Sequence, residues 1–464
     1  MAHHELVIIG AGPGGNAVAR EAARHNVDTV LIEKSALGGT CLNRGCIPTK
    51  TILHTANLFH DAANAHDMGL RIENASIDFD ILRSRKEEVV ERQNQGLETS
   101  FDKLGITVLY GTASTSGPDR IVVELEDGTT EELSADTLVI ATGTTPAMPP
   151  IDGIDLPGVY DSDEMLDTVP ELDSLVIVGG GFIGMEYAGI YLSFGTKVTV
   201  IEADDRVLAT MDKELSQSLA MVMKKRGCDL ATGSRVKAIG QTDNGRLSVC
   251  YEDGCGEAHT VEAAAVLVAT GREASFDDLF IDGFELDLDH GHIAVDDHMR
   301  TSVENVYAVG DATNVQPQLA HSASAQGTIA AKAISGEPCA IDLAVVPSCV
   351  YTTPEIATVG ITTADAKDAG SSSIGKYTLA SNAKTVIADL DRSFMKVIAD
   401  QDGKVVGAHL MCGRATDIIG EAASAIANGL TIEQMEAVIR PHPTFEEALT
   451  DAFAATRAKR EACA

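Results

Sequence analysis

The stretch ELVIIGAGPGGNAVAREAA, residues 5–23, predicts a buried strand, a glycine turn and a helix. The pattern returns as LVIVGGGFIGMEYAGIYL, residues 175–192. In each copy a second apolar strand ends in an acid, Glu33 or Glu202, 23 positions after the first glycine of the turn. Dinucleotide-binding folds have an acid that accepts a ribose hydroxyl at about this spacing. One such pattern is a weak signal, but two complete units predict two nucleotide sites, with the glycines Gly10, Gly12 and Gly15 and then Gly179, Gly181 and Gly184.

The rest of the chain predicts three domains. Each unit has a later apolar strand ending in Ala-Thr-Gly, with Thr142 and Gly143 in the first unit and Gly271 in the second. The prolines of residues 144–158 favour an extended crossover, and one more buried strand precedes Asp311. We therefore predict an α/β protein with two Rossmann-like dinucleotide-binding domains, residues 1–150 with 276–344 and residues 151–275, and a C-terminal α+β domain, residues 345–464.

The composition argues against several classes of protein. There are 69 acidic and 35 basic residues, and this net charge of -34 would repel nucleic acids and anionic membranes. No run approaches the roughly 18 apolar residues of a membrane span, and the first residues lack the pattern of a secretory signal. Nine cysteines in 464 residues are too sparse for the disulfide framework of small secreted domains. We expect a soluble cytoplasmic protein, whose acidity is consistent with solubility, with adaptation to salt or with one basic partner.

The segment GGTCLNRGCIPTK, residues 38–50, carries the candidate chemistry. Cys41 and Cys46 lie five positions apart at a glycine loop that leads into a predicted helix, where the helix dipole favours thiolates. Lys50 adds a positive charge one turn after Cys46. Alone, two such cysteines are more often structural or half of a metal site, but His54 and His60 give no recognised zinc pattern. Because the pair follows a predicted nucleotide-binding unit, we interpret it as a redox pair and predict no metal.

Residues 38–50 resemble the active-site segment of the pyridine-nucleotide disulfide oxidoreductases, and most of all that of the members that oxidise dihydrolipoamide. Other motifs of the family occur in the family's order along essentially the whole chain: GAGPGG, both Ala-Thr-Gly strand ends, Gly310 with Asp311, YTTPEIATVG from Tyr351 and HPTFEE from His442. The resemblance implies that the first unit, with Asp311, binds FAD and that the second binds NAD. It also implies that the C-terminal domain forms a homodimer interface.

The resemblance further implies a role for each residue around the cysteines. Cys41 would exchange with the substrate thiol, the thiolate of Cys46 would contact the flavin, and Lys50 would lie beside the flavin ring. Glu186 matches the glutamate that pairs with this lysine and meets the nicotinamide. Without the family, an exposed glutamate favoured by the helix dipole is the alternative. Weaker matches place Ala113 and Val236 on the adenine side of the cofactors and Ala320 at the flavin ring.

His442 and Glu447 match the family's catalytic base and the carboxylate that orients it. A histidine between two prolines is alternatively only a rigid turn, and Thr444 with Glu447 also spells a helix capping box. A dithiol oxidant nevertheless needs a base that works near neutral pH, and histidine supplies one. In the family this histidine reaches the disulfide of the other subunit, so we expect a monomer to lack a complete site.

The expected activity is oxidation of protein-bound dihydrolipoamide to lipoamide, with NAD as the hydride acceptor. The expected partner is a lipoyl-bearing protein of an oxoacid dehydrogenase or glycine-cleavage complex. The alternative is an NAD(P)H-dependent reductase of a glutathione-like or mycothiol-like disulfide. Glu202, closely followed by two aspartates, argues against NADPH because a carboxylate repels a 2′-phosphate. A noncatalytic binding protein on this fold is disfavoured by the intact cysteine pair and by His442.

Overall fold

The computed structural model describes residues 1–276, 278–370 and 372–463. Thirteen α-helices lie within these residues: α1 (Pro13–Arg24), α2 (Gly39–Asn43), α3 (Cys46–Asn64), α4 (Phe79–Leu104), α5 (Ser162–Thr168), α6 (Phe182–Ser193), α7 (Lys213–Lys225), α8 (Ala320–Ile334), α9 (Thr363–Ala369), α10 (Ala383–Ile387), α11 (Ala415–Ala427), α12 (Ile432–Glu436) and α13 (Ala448–Cys463). Short 3-10 turns span Ala65–Met68, Gly310–Ala312 and Leu379–Ser381. In this part of the chain, no helix combines the length and the apolar character that crossing a membrane requires.

The strands of the described residues form three larger sheets and three small ones. In chain order they are β1 (Ala2–Ile9), β2 (Thr29–Glu33), β3 (Thr107–Gly117), β4 (Arg120–Leu125), β5 (Thr130–Ile140), β6 (Thr144–Pro146), β7 (Val159–Tyr160), β8 (Ser174–Val178), β9 (Lys197–Glu202), β10 (Asp229–Thr232), β11 (Arg235–Gln241), β12 (Leu247–Glu252), β13 (Ala258–Ala263), β14 (Ala265–Val268), β15 (Arg272–Ala274), β16 (Leu288–Asp289), β17 (His292–Ile293), β18 (Val306–Ala308), β19 (Ser348–Val350), β20 (Glu355–Gly360), β21 (Ser373–Thr378), β22 (Phe394–Ala399) and β23 (Val405–Cys412).

The first large sheet is built around the strand of the opening stretch. β1 pairs in parallel with β2 on one side and with β5 on the other, and β3 and β18 extend these two sides. Residues 6–9 of β1 are buried, as expected for a strand that is covered on both faces. β4 pairs antiparallel with β3 and β5. The predicted strand before Asp311 is β18, so that acid lies at the same carboxyl edge as the first glycine turn.

The second large sheet repeats this plan. Its strands are all parallel, in the order β10, β9, β8, β14 and β7. The smaller antiparallel sheet of β11, β12 and β13 packs on it, where Ile239 and Val249 join Val176 and Ile201 in one apolar cluster. The crossover between the two large sheets is extended as predicted over Thr144–Pro146, and this β6 pairs with the returning strand β15.

The third large sheet is antiparallel, in the order β19, β20, β23, β22 and β21. Residues of α11, α12 and α13 share one apolar core with β22 and β23. A buried ion pair links this sheet to the start of α7, because the Lys396 Nζ donates to Asp212 Oδ1 at 2.8 Å. The sheets follow the predicted order along the chain, and the exact domain boundaries stay a prediction.

Candidate active site

One cavity of about 1590 Å³ is lined by residues of both glycine turns. Cys41, Cys46, Lys50 and Glu186 lie on its wall. Most residues that the sequence predicts as cofactor contacts also line it: Gly10, Gly12, Glu33, Ala113, Thr142, Gly143, Gly179, Gly181, Glu202, Val236, Gly271, Asp311 and Ala320. A single cavity therefore joins both predicted nucleotide sites to the cysteine pair.

The two glycine turns have matching backbone geometry. Gly10 has a φ of 105° and Gly179 a φ of 110°, in the region that favours glycine. A Cβ on either would lie 2.3 Å from the carbonyl oxygen at a neighbouring strand end. Gly15 and Gly184 are not among the residues that line the cavity, and their cofactor contacts stay a prediction. A Cβ on either would lie 2.0 Å from the carbonyl oxygen of the first glycine of its turn, so each allows the helix to pack closely on the turn.

Each turn leaves room for an anion at a helix start. Gly12 and Gly181 are the N-caps of α1 and α6, and neither helix start has a side-chain cap. The free N–H groups of a helix N-terminus are suited to a pyrophosphate. Glu33 Oε2 accepts the backbone N–H after the first glycine of its turn at 2.9 Å, and Glu202 Oε2 accepts the equivalent N–H at 2.5 Å. Both turns therefore fit the phosphate and ribose of a dinucleotide.

The two cysteines lie on different helices. Cys46 is the first residue of α3, whereas Cys41 belongs to the separate short helix α2, where the sequence predicted a glycine loop. The structure has them as free thiols. The hydrogen bond with Cys41 lowers the pKa of Cys46 to about 7 against the effect of burial, and the charge of Lys50 lowers it further. The same hydrogen bond, together with burial, raises the pKa of Cys41. Cys46 is thus the group that readily becomes a thiolate.

Lys50 and Glu186 meet on the cavity wall. The Lys50 Nζ donates to Glu186 Oε2 at 2.7 Å, and Glu186 Oε1 accepts the backbone N–H of Tyr351 at 3.1 Å. The Lys50 Nζ also lies 4.6 Å from the centre of the Tyr351 ring, within the range of a cation–π contact. Only 6% of the Glu186 side chain is exposed, so the alternative of a solvent-exposed glutamate is wrong.

Asp311 is in the 3-10 turn after β18, on the cavity wall. Burial raises the pKa of its carboxyl, and the charges of Arg272 and His292 oppose this effect. Arg272 also donates to Thr144 Oγ1 and to the Thr144 carbonyl oxygen, both at 2.9 Å. It therefore fastens β15 to β6 beside Asp311.

His442 and Glu447 form a second pair away from this wall. The His442 Nδ1 lies 2.8 Å from Glu447 Oε2, and 72% of the His442 side chain is exposed. Neither residue is among the described residues that line the cavity. Glu447 donates its backbone N–H to Thr444 Oγ1 at 3.2 Å, which is half of the predicted capping box. Its carboxylate instead accepts from Asn382 at 3.2 Å and contacts His442.

Sequence reasoning missed several residues of these sites. Arg272 directly follows the predicted strand end at Gly271, so its position at the carboxyl edge was a usable signal. Cys349 lines the cavity, and burial raises its pKa to about 11. Asn382 gives no signal because its contacts with the His442 segment are distant in sequence. Further residues on the cavity wall that were not predicted are Thr144, Arg235 and Lys237.

One group of possible metal ligands lies outside the cavity. Asp253, Glu257 and His259 have ligand atoms within 4.8 Å of one another at the hairpin between β12 and β13. The Asp253 Oδ2 lies 2.9 Å from His259 Nε2, so these two side chains already satisfy each other. The group is not part of the candidate active site.

Two family profiles cover most of the chain. The profile described as pyridine nucleotide-disulphide oxidoreductase matches residues 4–327, and the profile of its dimerisation domain matches residues 346–453. The chain belongs to the pyridine nucleotide-disulphide oxidoreductase family. The predicted family and the predicted α/β fold class are confirmed. Membership of this family implies flavin and nicotinamide cofactors, and the dimerisation domain indicates a homodimer.

Similar proteins agree with this membership. The chain is 39% identical to a dihydrolipoyl dehydrogenase of Haloferax volcanii, over 97% of this chain and 95% of that one. It is 36% identical to a dihydrolipoyl dehydrogenase of Bacillus subtilis, over 97% of this chain and 98% of that one. Among solved structures, LpdA from Mycobacterium tuberculosis has a TM-score of 0.89 at 26% identity, covering 98% of this chain and 99% of that one. The Cu(II) complex of the HOCl-induced flavoprotein disulfide reductase RclA from Escherichia coli has a TM-score of 0.87 at 28% identity, with the same coverage. This chain is thus an oxidoreductase of this family.

Proposed function

We propose that this chain is an FAD-dependent dihydrolipoyl dehydrogenase, which oxidises protein-bound dihydrolipoamide to lipoamide and reduces NAD. The observation that carries the proposal is the single cavity that joins two dinucleotide turns to Cys41 and Cys46. The two relatives of that name, which are similar over nearly their full lengths, support the choice of substrate. The lipoyl group would arrive on a carrier protein of an oxoacid dehydrogenase or glycine-cleavage complex, in the cytoplasm.

We assign the two cofactors by the position of the turns. The turn at Gly10, with Glu33 and Asp311, would hold FAD, because Cys46 and Lys50 come soon after this first unit along the chain. The turn at Gly179, with Glu202, would hold NAD. Lining residues Ala113 and Val236 would lie at the two adenosine ends, and Ala320 at the flavin ring. When bound, FAD would accept two electrons from the reduced cysteine pair and transfer them as hydride to NAD.

The residues of the chain would perform the thiol chemistry as follows. His442, oriented by Glu447, takes the proton of the first substrate thiol, and the resulting thiolate attacks the sulfur of Cys41. This step starts from the oxidised enzyme, in which Cys41 and Cys46 would be joined by a disulfide. That bond breaks, a mixed disulfide forms on Cys41, and Cys46 leaves as a thiolate. The lowered pKa of Cys46 and the raised pKa of Cys41 support this division of roles.

The second half of the reaction releases the product. The second substrate thiol attacks the substrate sulfur of the mixed disulfide, and the bond from that sulfur to Cys41 breaks. Lipoamide leaves, and the proton of the second substrate thiol ends on the Cys41 thiol. Lys50 stays beside the Cys46 thiolate, which its charge stabilises. Glu186 keeps this lysine in place through the 2.7 Å contact. Removal of two electrons and a proton then restores the disulfide.

The test compares two reactions of the purified, flavin-loaded protein. We expect rapid reduction of NAD by free dihydrolipoamide and slow NADPH-driven reduction of glutathione disulfide. Cys41→Ser and Cys46→Ser should each abolish the first reaction and retain the flavin. Cys339→Ser is the matched control, because this cysteine is outside the cavity wall. Faster reduction of the small disulfide by NADPH would refute the proposal in favour of a disulfide reductase, the activity in the name of the similar RclA.

A further inference from the structure

Asn382 begins a chain of hydrogen bonds that ends at His442. Its Oδ1 accepts from the Thr385 backbone N–H at 2.9 Å and from Thr385 Oγ1 at 3.0 Å. A backbone N–H can only donate, so this contact fixes which end of the Asn382 amide is the oxygen. The Nδ2 group must therefore face the other way. Asn382 and Thr385 are both buried, which makes this a firm anchor.

The Nδ2 group of Asn382 reaches the segment that carries the candidate base. It donates to the Thr444 carbonyl oxygen at 3.0 Å and to Glu447 Oε1 at 3.2 Å. The other carboxylate oxygen, Glu447 Oε2, lies 2.8 Å from His442 Nδ1. Glu447 is thus held between a buried amide and an exposed imidazole, with one oxygen for each.

We propose that Asn382 is a positioning residue for the His442–Glu447 pair. This inference rests on the proposed function, in which His442 removes the substrate proton. The hydrogen bond at one ring nitrogen of a histidine sets the orientation and tautomer of the other. By donating to Glu447 Oε1, Asn382 fixes the rotation of the carboxylate and so presents Oε2 to His442. Without this donor, the carboxylate is free to turn away from the imidazole.

A role limited to capping α10 would use a different atom of Asn382. Asn382 is the N-cap of α10, and a cap needs only an acceptor oxygen. Positioning of Glu447 needs the Nδ2 donor. Asn382→Asp keeps a good cap, removes the donor and adds a second carboxylate beside Glu447. Asn382→Ser also keeps a cap but is too short to reach Glu447.

The experiment measures the two half-reactions of the flavin-loaded enzyme by stopped flow. We expect both variants to slow reduction of the enzyme disulfide by dihydrolipoamide about 10- to 100-fold, less than loss of the base itself. Reduction of the same disulfide by NADH needs no substrate base and should keep its wild-type rate. In Asn382→Asp the acidic limb of the dihydrolipoamide pH profile should also move to higher pH, because added negative charge favours the protonated imidazole. Thr362→Ala, which removes the cap of α9, should change neither half-reaction.

Each other outcome has a definite meaning. Wild-type rates of dihydrolipoamide reduction in both variants, or equal slowing of both half-reactions, would show that Asn382 is only a cap. If either variant loses its flavin, Thr385→Val takes its place, because it removes the Oγ1 contact and keeps the backbone one. It should give a smaller but selective slowing, and no selectivity would overturn the inference. A wild-type enzyme that NADH reduces but dihydrolipoamide does not would refute the proposed function itself.

Discussion

Lys50 is the residue whose charge connects Glu186 with the thiol of Cys46. It donates to Glu186 at 2.7 Å, and its charge lowers the pKa of Cys46. The Tyr351 ring, 4.6 Å from the Lys50 Nζ, holds the ammonium group from a second side. A flexible lysine would spread its charge over many positions, whereas this one is fixed close to the thiol that must ionise.

The first prediction follows from this charge. The pKa of Cys46 is lowered to about 7, so its thiolate should persist above that pH and be lost as the pH falls below it. In the two-electron-reduced enzyme, the Cys46 thiolate beside oxidised flavin should give an absorbance band on the red side of the flavin peak. This band should therefore titrate with a midpoint near pH 7. Lys50→Met should move this midpoint to higher pH, because the stabilising charge is gone. Lys34→Met is the control, since Lys34 also lines the cavity. An unmoved midpoint in Lys50→Met would contradict the assignment.

At the scale of elements, the start of α7 is held against the third sheet by charged side chains. Asp212 caps α7 and accepts from Lys396 of β22 at 2.8 Å, and both side chains are buried. Burial alone would raise the pKa of Asp212, but the hydrogen bonds from Lys396 and from Thr363 lower it well below its usual range. At pH values above the ordinary pKa of an aspartate, the ionised carboxylate therefore contributes to the free energy of unfolding. This contribution is lost as the pH falls through the lowered pKa of Asp212.

The second prediction compares two lysines at this helix end. Lys396→Met should destabilise the protein by about 3–5 kcal/mol, because it leaves the buried Asp212 without its lysine partner and also removes the contact between Lys396 and Glu214. Lys376→Met removes the ion pair with Glu214, whose two side chains are each 36% exposed, and should cost at most about 1 kcal/mol. Urea unfolding at neutral pH measures both. Equal losses would show that burial does not distinguish the two pairs.

At the scale of the whole molecule, the candidate base lies outside the described lining of the cavity that holds the cysteines of the same chain. His442 is exposed and does not line the described cavity that holds Cys41 and Cys46. The match to a dimerisation domain over residues 346–453 includes His442. We therefore propose that each complete site takes its cysteines from one chain and its base from the other.

The third prediction tests this arrangement by mixing inactive subunits. His442→Gln should reduce dithiol oxidation roughly 100- to 10,000-fold, as expected for a lost base, while flavin content and hydride exchange between nicotinamides remain. Cys41→Ser should be inactive for a different reason. Exchange of subunits between these two variants gives heterodimers with one intact site, so activity should return. No recovery after exchange, shown by differently tagged subunits, would place the base and the cysteines of each site in one chain.

The sequence by itself determined the two nucleotide-binding units, because their signals are local. The strand, the glycines and the closing acid of each unit lie within about 30 residues, and backbone geometry dictates which residues can occupy these positions. The family could also be predicted from the sequence, because each of its motifs is a short local segment and the motifs follow the family's order along the chain. A helix after the glycine loop was also predicted, because its pattern is local, and in the structure this helix begins at Cys46 itself.

Only the tertiary structure decided which distant side chains meet. Glu186 proved to be buried against Lys50, 136 positions away, and the helix pattern around it could not distinguish this from an exposed position. Asn382 contacts Glu447 across 65 positions, through a donor whose direction depends on a buried threonine. Such contacts arise from the packing of distant elements, and the periodicity of one element shows which of its faces is buried but not which other element covers that face. Local chemistry therefore predicted where each cofactor would bind, and packing decided how the residues around it are held.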